Sequence, residues 1–136
     1  MKSMLIRVSK FHSSDEAILF AIEKIDAAAE QARLKYLTPG SGQAMEYEEA
    51  HRQALEFISN PRSGHYPMLE ADVEAGLCET VEQAASTVIA MRQQWEQVGQ
   101  AIRRIRLEAK RRIRESGDPA EIARIREEAV SLLSGL

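Results

Sequence analysis

Between Val81 and Glu115 the chain carries Val81, Ala84, Val88, Met91, Trp95, Val98, Ile102, Ile105 and Ala109 at alternating spacings of three and four. That rhythm lays one apolar stripe along an α-helix of roughly 50 Å at 1.5 Å per residue. A helix this long, with an apolar stripe this narrow, leaves few architectures open: it must lie lengthwise against other helices, within its own chain or in another. Gly99 inside it costs about 1 kcal/mol relative to alanine.

The flanking segments repeat the pattern. Ser13 and Glu16 have the spacing of a capping box, which predicts a helix start there. Ile18, Ile22, Ile25, Ala29, Ala32 and Tyr36 form its stripe, and Thr38-Pro39-Gly40-Ser41-Gly42 ends it. A second helix is expected from about Gln43 to Ser59, with Tyr47, Ala50, Ala54, Leu55 and Ile58 as its apolar face. Asn60-Pro61-Arg62-Ser63-Gly64 breaks it. Pro67 suits the first turn of a short helix running to about Ala75, which Gly76 stops. Thr80 with Gln83 is a second capping-box spacing and opens the long helix, expected over about 81–115. Gly117, Asp118 and Pro119 form a stop and restart, with aspartate as N-cap and proline at N1. The last helix carries Ile122, Ile125, Ala129, Leu132 and Leu136. Met4–Val8 is apolar and β-branched but short, and reads as one edge strand or an extended arm. The expected organisation is an N-terminal arm, 1–12, and a single all-α domain, 13–136: an elongated helical hairpin or bundle that also self-associates, with a monomeric bundle as the plainer alternative.

Composition narrows the function classes. Aromatic residues are 5%, too few for a base-stacking surface. The single cysteine, Cys78, excludes an internal disulfide and a cysteine-based structural zinc site. No apolar run has signal-peptide or membrane-span length, so no membrane role is expected and the chain is expected to stay where it is made.

Catalytic and metal chemistry find little support. Glu48 and His51 make one Glu-x-x-His, but a di-iron bundle needs a second copy, and neither His12 nor His65 supplies one. Cys78 precedes a helix N-terminus, where a thiolate is favoured, yet no histidine is near it in sequence, and a small semi-buried apolar role explains it. Gly40-Ser41-Gly42 lacks the lysine and the preceding strand of a phosphate loop. The acid pairs Glu48-Glu49 and Glu127-Glu128 sit on polar helix faces without an apolar pocket. The expectation is no enzyme activity, no cofactor, no metal and no small-molecule substrate.

Charge is segregated. Residues 46–82 hold nine carboxylates against Arg52 and Arg62, a local −7, in a chain whose net charge is −3. Residues 103–114 hold Arg103, Arg104, Arg106, Lys110, Arg111, Arg112 and Arg114 against Glu108, a local +6. The two segments can face each other, within a chain or between copies, and fix register and orientation. The basic face can instead meet phosphates; an acidic total and the absence of a nucleic-acid motif weaken that reading. A solvated face without a partner is the third reading.

Several stretches resemble, in order and spacing, a family of small phage and prophage proteins found among tail and tail-fibre genes. They are Thr38-Pro39-Gly40-Ser41-Gly42-Gln43-Ala44, then Tyr66-Pro67-Met68-Leu69-Glu70-Ala71-Asp72-Val73-Glu74-Ala75-Gly76, then Trp95, and Ala101-Ile102-Arg103-Arg104-Ile105-Arg106-Leu107-Glu108-Ala109-Lys110. The likeness covers about residues 36–126. This chain differs in its arginine-rich long helix and in its first eleven residues. The resemblance implies an all-helical, non-catalytic protein of the virion tail or its assembly, present in the host cytoplasm during assembly and, for a virion component, in the tail. Its partners would be further copies of itself and other tail or fibre proteins. Tyr36, Tyr47, Trp95, Ile102 and Ile105 are the expected apolar anchors, with Arg103, Arg104, Arg106, Lys110 and Arg111 beside them. A phage accessory protein that binds and blocks a host protein or nucleic-acid machine is the alternative, and a nucleic-acid binder using 103–114 a weaker one.

Overall fold

The computed structural model describes residues 13–62 and 64–136. The edge strand or extended arm expected at Met4–Val8, and with it the N-terminal arm 1–12, lies outside them. The described residues are all-α, in five helices: α1 Ser14–Leu34, α2 Ser41–Ser59, α3 Pro67–Glu74, α4 Val81–Glu115 and α5 Pro119–Ser134.

The punctuation works as side-chain chemistry dictates. Ser13 Oγ accepts the Glu16 amide at 3.3 Å and caps α1. Thr80 Oγ1 accepts the Gln83 amide at 3.1 Å, while Gln83 Oε1 reaches back to the Glu79 amide at 2.8 Å. Asp118 caps α5 through the Ala120 amide at 3.1 Å, and Pro119 sits in its first turn. Gly76, after α3, has φ +80, where a side chain is strained and glycine is not.

The chain divides into two compact units, with α4 contributing to both. One comprises α1, the C-terminal part of α4 from Val98, and α5. Lys35 Nζ donates to the Ser134 carbonyl at 3.1 Å and Tyr36 Oη to the Leu136 carbonyl at 2.7 Å, so the C-terminal ends of α1 and α5 meet and these two helices run parallel. The short 116–118 link makes α5 antiparallel to α4, giving a three-helix bundle. Its core is Ala17, Ala21, Ile25, Ala29 and Ala32 from α1, Ile102, Ala109 and Ile113 from α4, and Ile122, Ile125, Ala129 and Leu133 from α5. The alanines let helix axes approach closely. The buried isoleucines and Leu133 each contribute about 1.5–3 kcal/mol by leaving water.

Several expected stripe positions differ from those observed. On α1 the centre of the buried line is Ala17, Ala21, Ile25 and Ala29, with Ile18 and Ile22 half-buried beside it. On α5 Leu133 is buried where Leu132 was expected, and Leu132 is exposed. Met91 on α4 is likewise exposed. On α1 the buried line steps by four from Ala17 to Ala29 and on α5 by four from Ile125 through Ala129 to Leu133, as i, i+4 rows do, while on α4 Ile102 and Ala109 keep the seven-residue spacing.

The other unit, Leu37–Gln97, comprises α2, α3 and the N-terminal part of α4. Ala54, Tyr66, Leu69, Ala84 and Ala85 form its core, and Phe57, Cys78, Val81, Val88 and Ile89 pack around them. The Tyr66 ring meets Phe57 edge-on at 5.4 Å, and its hydroxyl donates to the Asn60 carbonyl at 2.7 Å. Gln53 is the buried polar residue here. Its Oε1 accepts the Met68 amide at 2.9 Å and its Nε2 donates to Glu49 at 3.0 Å. Since Tyr66 provides no side-chain cap for α3, Gln53 serves as that cap from another helix.

Candidate functional site

The basic segment of α4 separates into committed and outward charges. Lys110 Nζ lies 2.7 Å and Arg106 Nε 3.2 Å from Asp26 Oδ1 on α1. Burial pushes the Asp26 carboxyl up, but the hydrogen bonds and charges of Lys110 and Arg106 outweigh it, and its pKa falls below the ordinary carboxylate value. Arg112 faces Glu128 on α5 at 3.6 Å, and Arg111 pairs with Glu115 one turn on at 3.0 Å. Arg103, Arg104 and Arg114 are exposed. Two of them share a stripe with Leu107 and Arg111, since Arg104, Leu107, Arg111 and Arg114 follow spacings of 3, 4 and 3. Leu107, in the middle, is 45% exposed.

The expected anchors part company. Ile102 is 1% exposed inside the three-helix bundle, so it belongs to that core and offers no surface to a partner. Tyr36, half-buried, closes one end of the same bundle through Leu136. Ile105 and Trp95 are half-buried. Arg106 and Lys110 are held by Asp26, so the structure brings them to an intramolecular cluster and not to an open face. Of the apolar anchors Tyr47 is the exposed one, with its hydroxyl 3.1 Å from Thr38 Oγ1.

Composition and periodicity placed Leu55 and Ile58 in the apolar face of α2, but both point to solvent. The buried side of this helix is Gln53 and Ala54, with Phe57 beside them. Ala44, Tyr47, His51, Leu55 and Ile58 follow spacings of 3, 4, 4 and 3 and so lie along one face next to that buried side. Ile58 is 60% exposed, and residues 41–48 are exposed all round, Met45 included. Carboxylates border this helix. Glu48 reaches Arg92 on α4 at 2.6 Å, and Arg52 bridges Glu49 at 2.5 Å and Glu56 at 2.8 Å. Hydrogen bonds from Arg52 and Gln53 hold the Glu49 carboxyl down to about 2. Spacing puts Tyr47, Leu55 and Ile58 on the apolar side of this helix without saying how much of that side another helix covers.

Between α1 and α5 an open cleft is lined by Phe20, Lys24, Arg126, Glu127, Val130 and Ser131. Lys24 and Arg126 lie over the Phe20 ring at 5.3 and 5.0 Å from its centroid, a cation–π arrangement on the surface of the bundle. Among the described residues no three histidine, cysteine, aspartate or glutamate side chains gather as a metal site would require. No described helix is long and apolar enough to cross a membrane. No protein-family model matches the chain, and neither a curated protein nor a solved structure matches it.

Proposed function

We propose that this chain is a non-enzymatic bacteriophage tail-associated protein, a structural component or an assembly factor, that works by protein–protein contact through the outward faces of α2 and α4. The observation that carries the contact reading is the α2 face. Large apolar groups there (Tyr47, Leu55, Ile58) stand in solvent on a well-formed helix, where each would gain by burial against a partner. The tail setting rests on the resemblance of the 38–44, 66–76 and 101–110 stretches to tail and tail-fibre proteins. The nucleic-acid reading loses ground because Arg106, Lys110, Arg111 and Arg112 are already paired with carboxylates of the chain, which leaves Arg103, Arg104 and Arg114 as the outward charges of the segment.

The test is mass spectrometry of purified phage particles and of tail-assembly intermediates from cells producing this chain. The chain is expected in one or both fractions, and Tyr47→Ser with Ile58→Asp is expected to deplete it. Absence from both fractions refutes the tail reading and favours a host-directed accessory protein.

A further inference from the structure

The apolar face of α2 lies in a strongly acidic unit. Residues 37–97 carry ten carboxylates against Arg52, Arg62 and Arg92. Two copies of this face set against each other would bring together like charges, which costs association free energy. The two-fold dimer that would pair the α2 face with itself is therefore disfavoured, and whatever covers the face should be basic with an apolar centre. One surface of the same molecule has that make-up: the outward stripe of α4, where Arg104 and Arg114 flank exposed Leu107 and the exposed Arg111 between them is shared with Glu115 one turn on. The periodicities also agree, since both stripes run along helices at spacings of three and four, as two helices packed lengthwise require.

We propose that a second copy of this chain is the occupant of the α2 face, docking the Arg104–Leu107–Arg111–Arg114 stripe of its α4 against Tyr47, Leu55 and Ile58. This deepens the protein-contact reading above and rests on it. The two surfaces differ, so the contact is head to tail. Every copy keeps one free surface of each kind, and association continues into a ring or a filament. The opposed charges steer the encounter and fix polarity, while Leu107, Tyr47, Leu55 and Ile58 supply the buried apolar area. Screening by salt opposes the contact, because these charges are solvent-exposed.

Two variants of the full chain test this by sedimentation velocity. The first, Arg104→Glu with Arg111→Glu, breaks the basic stripe and keeps the α2 face. The second, Glu46→Lys with Ile58→Arg, breaks the α2 face and keeps the basic stripe. All four positions are exposed, and unchanged far-UV circular dichroism verifies folding. If the first variant loses helicity, Leu107→Asp replaces it. The wild-type chain is expected to form concentration-dependent oligomers at low salt that fall to monomer as salt rises. Each variant alone should be monomeric. An equimolar mixture should form a 1:1 dimer that grows no further, since one intact surface of each kind remains. A wild-type chain that is monomeric throughout overturns the inference, as do oligomers that survive both variants, or variants that are monomeric when mixed. If the chain is nevertheless retained in tail particles, the functional reading survives that loss; a chain that assembles as described but is absent from particles and intermediates has the opposite outcome.

Discussion

Replacing Asp26 by asparagine removes one charge from the cluster that joins α1 to the basic end of α4. An exposed ion pair contributes about 0.2–1 kcal/mol. Here the Lys110 side chain is only 12% exposed and that of Arg106 22%, which strengthens each pair, while the Asp26 carboxylate is 46% exposed, which lets water screen it. Two discounted pairs, plus two cations left facing one another, give a loss of about 1–2 kcal/mol for Asp26→Asn at neutral pH. A double-mutant cycle with Lys110→Met should return a coupling of about 0.5–1 kcal/mol. The pH dependence follows from the direction of the Asp26 shift. Its folded pKa lies below its unfolded one, so its contribution is full above the ordinary carboxylate pKa and is lost as pH falls through the lowered folded value. Urea unfolding followed by circular dichroism should show a constant gap between wild type and variant from pH 7 to near pH 5, closing in more acid solution. Trp95, the one tryptophan, lies in the other unit, so its fluorescence separates that unit's unfolding from this effect. A gap below about 0.3 kcal/mol at pH 7, or one that persists unchanged under acid conditions, would falsify the claim that this cluster holds α1 to α4.

Leu133→Ala should cost about 2–5 kcal/mol and Leu132→Ala less than about 0.5, because the first empties a fully buried site and the second trims an exposed one. Thermal unfolding of the two variants compares them, and equal effects would mean the register of α5 is wrong. Gln53→Leu keeps the volume but orphans the Met68 amide, with a loss of about 1–3 kcal/mol and faster hydrogen exchange at Met68; unchanged exchange there contradicts the capping role. Gly76→Ala forces a β-carbon onto a φ of +80 with open space around it, so strain alone should cost about 1–2 kcal/mol in urea unfolding followed by Trp95 fluorescence, and a neutral result would mean the turn after α3 relaxes freely.

Element boundaries were legible because they are made by local chemistry. Ser13, Thr80 and Asp118 cap, Pro67 and Pro119 start, and Gly76 stops, each through contacts within four residues. Which side of each helix is buried was harder to read. On α5 Leu132 continues a seven-residue seam from Ile125 and Leu133 an i, i+4 row through Ala129, and only the neighbouring helix decides between them. On α2, Leu55 and Ile58 satisfy the pattern of an apolar face, yet both are exposed. Gln53 was illegible for the opposite reason: a glutamine in a helix reads as a solvated residue until a second helix brings an uncapped amide to it.

The same distinction bears on the candidate faces. Charge along α4 is plain in the sequence, but its meaning depends on which bases are already neutralised. Asp26 stands 80 residues from Arg106, and no local pattern links them; folding brings them to 3.2 Å and removes Arg106 and Lys110 from the set that could meet a partner. What remains outward is a narrower stripe with a leucine at its centre. A bare run of arginines suits a phosphate backbone, which presents charge and no apolar surface. A leucine held among arginines at helical spacing suits an acidic helix with exposed apolar groups, and α2 is such a helix.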